Sequence, residues 1–234
     1  YTDCSPGFGS VAKYIATSTL EAGLDVKSMA ETSTKVFILE VMGRHAGWIA
    51  AASCLAATKA GDPPHIILLP EVPFEKTKFI TQVKQTVKEQ GYCVIVASEG
   101  TQAKNGKFLA DSGLTDAFGH KQLGGVAPVL AGMISKIGLK NHWAVADYLQ
   151  RSARHIASKT DLDQAYAVGE HAVKLAIAGK TALMPIIKRT SDSPYKWKIA
   201  TAPLKNVANI EKTMPKKFIS KNGFEITQAG KTYL

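Results

Sequence analysis

The sequence predicts an α/β fold, a three-layer αβα sandwich built on a mainly parallel sheet, and two observations predict it. Short apolar runs recur without polar alternation: VFILEV at 36–41, HIILLPE at 65–71 and YCVIVAS at 92–98. Segments of helical character separate these runs, and strands buried on both faces with helical crossovers between them pair in parallel.

Each element follows from local pattern. Ser5 is a candidate N-cap with Pro6 at the first helical position, while Gly7 and Gly9 delay the helix to about Ser10. After the strand Val36 to Val41, AGWIAAASCLAATKAG reads as a small-residue helix ended by Gly61. A strand at HIILLPE is followed by a helix with Phe79, Val83 and Val87 on one face, closed by Gly91, and then by YCVIVAS. Further helices are expected at GGVAPVLAGMISKIG and from Asp161 or Asp163 to Gly179, and further strands at HWAVAD and TALMPII. The least regular stretches are 101–123 and the tail after Arg189. That tail reads as a strand and then a helix stopped by Pro215, and no chemistry is visible in it.

Twenty-nine Lys plus Arg against nineteen Asp plus Glu give a net charge of +10, which favours polyanionic or phosphorylated partners. The basic residues are scattered, the densest group being Lys212, Lys216, Lys217 and Lys221, so a solvated basic face is favoured over a nucleic-acid arm. Cys4, Cys54 and Cys93 are widely spaced and form no CxxC, which fits reduced thiols and a cytoplasmic setting. No apolar run approaches the ~20 residues that span a bilayer. The chain opens without Met or a signal peptide and is expected to be the later part of a longer protein.

In parallel sheets ligands bind beyond the carboxyl ends of the strands, which directs attention to Met42–His45, Glu99–Gly100 and the DYLQR of 147–151. Gly43 allows a sharp turn and Arg44 follows it. A helix beginning near Ala46 would point free N–H groups and its dipole at the same volume, favouring an anion. Arg44 could equally tie down a loop carboxylate. Glu99 suits neutral sugar hydroxyls or is a solvated acid. Tyr148 and Arg151 offer a phenol and a bidentate cation suited to a terminal phosphate. Neither HxH nor HExxH accompanies His45, His142 or His155, so no zinc site or catalytic triad is read, and Trp48 reads as packing.

PGFGSVAKYIA, LEVMGRHAGWIAAAS, LLPEVPF, VIVASEG and YLQRS come in the order and approximate spacing of the phosphofructokinase family, and the chain resembles that family from Thr2 to about Arg189. The resemblance implies phosphoryl transfer to the 1-hydroxyl of fructose 6-phosphate, giving fructose 1,6-bisphosphate, a glycolytic reaction. It implies that Arg44 contacts the transferring phosphoryl group as the catalytic residue of this chain. Met42 and Gly43 would line the sugar pocket, Glu99 would bind sugar hydroxyls, and Tyr148 and Arg151 would hold the 6-phosphate. Lys35 falls where relatives place a base reaching a neighbouring subunit's sugar phosphate. Lys140, favoured over His142, would supply another phosphate ligand. A homo-oligomer, dimer or tetramer, follows from contacts that cross subunits.

The family's Gly-rich donor loop and TIDND-type motif do not occur here, so the general base and the Mg²⁺ ligands are expected upstream of Tyr1, with no metal ligand in this chain. The donor is pyrophosphate or ATP, and the remaining segments resemble the pyrophosphate-dependent members more closely. By the same resemblance residues 1–150 form the substrate lobe, 151–190 return to the donor lobe and 191–234 are a C-terminal extension. The alternatives are an ATP-dependent enzyme, a non-catalytic sugar-phosphate-binding fragment and, from charge alone, a nucleic-acid-binding protein.

Overall fold

A computed structural model describes the backbone of residues 1–115, 121–123 and 125–234, and the side chains of 1–110 and 125–234. The helices are α1 (Phe8–Met29), α2 (Trp48–Ala52), α3 (Lys76–Gln90), α4 (Val126–Ser135), α5 (Leu149–Ser152), α6 (Lys159–Ile177) and α7 (Gln228–Tyr233). The strands are β1 (Val36–Val41), β2 (Ile66–Leu68), β3 (Cys93–Ser98), β4 (Asp111–Thr115), β5 (Lys121–Leu123), β6 (Asn141–Val145), β7 (Leu183–Asp192) and β8 (Tyr195–Pro203).

The apolar runs form one four-stranded sheet, order β2-β3-β1-β6, with every pair parallel. Strand periodicity divides its side chains between two layers. Val36, Ile38, Ile66 and Ile95 meet Phe79 and Val83 of α3 and Leu130 and Ile134 of α4. Leu39, Val41, Ile67 and Val96 meet Val11 and Ile15 of α1 and Ala50 and Ala51 of α2. The three-layer sandwich is therefore the fold.

Several local expectations fail for identifiable reasons. α1 starts at Phe8, with Gly7 at φ 111° as the cap residue, so Ser5 is not the cap. The carboxylate of Asp161 instead accepts from the Ser10 N–H (2.5 Å) and hydroxyl (2.6 Å). α2 stops at Ala52, far short of Gly61. The Ser53 hydroxyl donates back to the Ala50 carbonyl, the chain tightens into a 3₁₀ turn over Ser53–Ala56, and Asp62 then gathers the Thr58 and Lys59 N–H groups into a turn.

β7 does not join the main sheet. It pairs antiparallel with β8 through the turn-forming Ser193-Pro194. After β8 the predicted helix is only a 3₁₀ turn at Leu204–Asn206. The tail is drawn instead onto the α1/α2 layer, where Met214, Phe218 and Ile226 are buried. Its Phe224 carbonyl accepts from the Ile67 N–H at 2.8 Å, beside the edge strand β2.

Candidate active site at the strand tips

Because β1 lies between β3 and β6, its exit loop is flanked by the exits of both. The Glu99 N–H bonds the Val41 carbonyl and the Ala146 N–H bonds the Glu40 carbonyl, each at 2.9 Å, so all three chains leave the sheet together. Gly43 turns at φ 148°, and a Cβ there would lie 2.8 Å from both the Ala46 carbonyl and the Ser98 hydroxyl. Only glycine fits.

The loop is held from both sides. Glu99 accepts from the Gly43 N–H at 3.1 Å, while the Gly43 carbonyl accepts from the Ser98 hydroxyl and from the Gly100 N–H at 3.2 Å. On the β6 side the Gln150 side chain accepts from the Met42 N–H at 3.4 Å and donates to the Asp147 carbonyl at 2.9 Å. Gln150 is 2% exposed, so the two-residue link it makes is shielded from water. Arg151 stacks over the Tyr148 ring at 5.4 Å, and both are exposed on the same rim.

Arg44 is half-buried, and its Nε is buried without a hydrogen-bond partner. A buried unmet guanidinium donor is costly, and an acceptor in the adjoining space would satisfy it. Among the described residues no carboxylate pairs with Arg44.

One amide at the start of α2 is not free for an anion. The Gly47 N–H that opens α2 is already taken by the Glu71 carboxylate, at 3.0 and 3.2 Å. A carboxylate of the protein itself occupies that position.

Beneath the loop, Glu40 is 2% exposed and accepts from the N–H groups of Gly125 (2.9 Å) and Ala127 (2.7 Å) at the start of α4. Burial pushes its carboxyl above the usual range, with the nearby Glu99 and Asp147 charges adding to that push and the two N–H groups opposing it. Glu40 thus ties β1 to α4 rather than facing solvent.

The phosphofructokinase family model matches residues 1–176. The chain belongs to the phosphofructokinase family. It is 65% identical over 234 residues to the "Pyrophosphate--fructose 6-phosphate 1-phosphotransferase" of Halomonas elongata, and 58% identical to the protein of that name from Methylococcus capsulatus. Each match covers 100% of this chain and 56% of the relative, so the chain spans about half the length of these curated relatives. The crystal structure of the pyrophosphate-dependent phosphofructokinase from Marinobacter aquaeolei superposes with a TM-score of 0.88 at 60% identity, covering 100% of this chain and 55% of that one.

Within this phosphofructokinase chain, Met42, Gly43, Arg44, Glu99, Tyr148 and Arg151 gather at neighbouring strand tips. Lys35 and Lys140 do not. They lie at the amino ends of β1 and β6, where the Lys35 N–H bonds the Lys140 carbonyl at 2.9 Å. The length of β1 puts roughly 20 Å between them and Arg44. The Lys35 ammonium donates to the Ala30 carbonyl and that of Lys140 to the Ser33 hydroxyl. Neither reaches the strand-tip cluster of this chain, so Lys140 does not stand with Arg151 as a phosphate ligand within it.

Sequence reasoning also overlooked Gln150, Glu71 and Glu40. Glu40 carried a signal, a lone acid inside an apolar run, whereas Glu71 closes the apolar run 65–71 and Gln150 lies in YLQRS, and local sequence marks neither as an anchor.

A cavity of about 1150 Å³ opens between α1, α6, the β7–β8 hairpin and the tail. Its central charges are paired. Asp3 accepts from Arg189 (3.0 Å), Tyr195 (3.3 Å) and Tyr233 (3.1 Å), and Arg189 also meets Asp192 at 3.1 Å.

Proposed function

We propose that the chain supplies the acceptor half of a phosphotransferase that moves a phosphoryl group from pyrophosphate to the 1-hydroxyl of fructose 6-phosphate, giving fructose 1,6-bisphosphate. The observation that carries it is Arg44, a guanidinium with a buried unmet donor on a loop fixed between two strand exits. The names of the relatives at 58–65% identity support pyrophosphate as donor.

Phosphoryl transfer spreads negative charge over equatorial oxygens, so catalysis rests on positioning and fixed positive charge. Arg44 stabilises that charge without covalent participation. Arg151 and Tyr148 hold the sugar 6-phosphate, whose charge does not change. Glu99 keeps one oxygen on the Gly43 amide and turns the other toward sugar hydroxyls, so it both shapes the loop and reads the sugar. Mg²⁺ would neutralise donor oxygens when bound. Among the described residues no group of three His, Cys, Asp or Glu could hold a metal.

Residues 1–150 form the substrate lobe and 151–190 leave it, a division supported by β7 pairing outside the main sheet. Lys35, remote from the strand tips of its own chain, would meet the sugar phosphate of a second copy, and that contact would make the protein a homo-oligomer. Among the described residues no helix is long and apolar enough to cross a membrane. The deciding experiment compares pyrophosphate with ATP as donor for the complete protein. Turnover with pyrophosphate alone is expected, and turnover with ATP alone would overturn the donor assignment.

A further inference from the structure

The tail beyond the residues matched by the family model runs across the loop that carries Arg44. Three polar links fasten it there. The Glu211 carboxylate meets His45 Nδ1 at 2.6 Å, and the Lys212 carbonyl accepts from the Trp48 indole N–H at 2.6 Å. Glu71 Oε1 accepts from the Met214 N–H at 2.9 Å while also accepting the Gly47 N–H at 3.0 Å.

These links differ in weight. His45 and Glu211 are 41% and 58% exposed, so their attraction is screened by water. Glu71 joins two backbone amides on either side of it, one in the loop and one in the tail, and the Met214 side chain beside it is 4% exposed in the core. The fit at Gly47 is close, since a Cβ there would lie 2.6 Å from Leu69 and 2.9 Å from Glu71. Trp48 is packed by Phe218 and Tyr233 of the tail, with ring centroids 6.3 and 5.6 Å away.

We propose that Glu71 is a positioning residue for Arg44, acting by clamping the Gly47 amide to the Met214 amide so that residues 211–214 strap the loop in its charge-stabilising pose. Glu71 touches no substrate. It acts through Arg44, and the inference rests on the role proposed above for that arginine. Removing the clamp frees one end of the loop while Glu99 and Gln150 still hold the other, so transfer slows while the sugar phosphate, bound at Arg151, is still recognised.

The test is a double-mutant cycle in the complete protein, read as kcat and KM for fructose 6-phosphate. Glu71→Leu, similar in size but without an acceptor, is expected to lower kcat on the order of tenfold with KM within about twofold. In an Arg44→Ala background the same change is expected to do nothing further, because the residue it positions is gone. Glu71→Gln, whose carbonyl oxygen can still accept both amides, is expected to restore most of the rate. Thermal unfolding separates a fold defect from a positioning defect.

If Arg44→Ala leaves the rate intact, the role of Arg44 fails and the clamp with it. If Arg44→Ala is severe but Glu71→Leu is silent, or slows both backgrounds equally, only the clamp is overturned. If Glu71→Leu fails to fold, Met214→Pro, which deletes the tail amide and leaves Glu71 in place, must reproduce the kcat loss and its absence in the Arg44→Ala background.

Discussion

Gly100→Ala should move the Arg44 loop without altering the side chain of any proposed substrate contact. The Cβ it adds would sit 1.9 Å from the Arg44 carbonyl oxygen and 2.4 Å from that of Gly43. Tolerable contacts begin at 3.0 Å, so the loop backbone must retreat by about 1 Å. Retreat also strains the Gly100 N–H bond to the Gly43 carbonyl and the Glu99 bond to the Gly43 N–H, the two ties that orient the turn. Overpacking of this kind costs about 1–3 kcal/mol of stability, and a displacement of that size near the reacting group costs on the order of 100-fold in rate.

The assay is steady-state kinetics of the complete protein with pyrophosphate and fructose 6-phosphate, alongside thermal unfolding. Gly91→Ala is the matched control. Its φ of 82° makes alanine strained, at about 1–2 kcal/mol, but nothing lies within 4 Å of the added Cβ, so kcat should hold. A Gly100→Ala protein with kcat within about threefold of wild type would refute the coupling between β3's exit and Arg44.

Arg44→Ala should lower kcat far more than it raises KM for the sugar, while Arg151→Ala should chiefly raise KM, since its phosphate keeps the same charge throughout; kinetics of the two variants in parallel checks this. Stability should fall in acid through His65. Burial lowers the pKa of its ring, whose Nδ1 accepts from the Val94 N–H at 2.9 Å, so the folded state favours neutral imidazole. Its contribution is present above the unfolded value near 6.5 and is lost as pH falls through the depressed folded value. His65→Gln should flatten that part of a melting-temperature profile, and an unchanged slope would remove His65 as its source.

The parallel sheet was legible because its strands carry unbroken apolar runs, and β1 matches the predicted 36–41 residue for residue. Arg44, Glu99 and Arg151 were legible as candidates because strand exits in such sheets face the ligand. What holds them was not legible. Glu71 and Met214 are 143 residues apart, and Gln150 and Met42 are 108 apart. Pairings of that range depend on the assembled fold, and no local pattern encodes them. The tail misled for a related reason. A stretch with helical composition gave up its helix so that Met214 and Phe218 could be buried, tertiary packing overriding propensity. Lys140 was close to Arg151 in sequence, but β6 runs between them and carries the two to opposite ends of the sheet.

The most direct test is a crystal structure of the complete protein with fructose 6-phosphate. Its phosphate should lie within hydrogen-bonding distance of Arg151, a sugar hydroxyl should lie on Glu99, and the 1-hydroxyl should open toward Arg44. Sugar bound elsewhere, with Arg44, Glu99 and Arg151 turned to separate regions, would contradict a sugar-phosphate cradle at the strand tips.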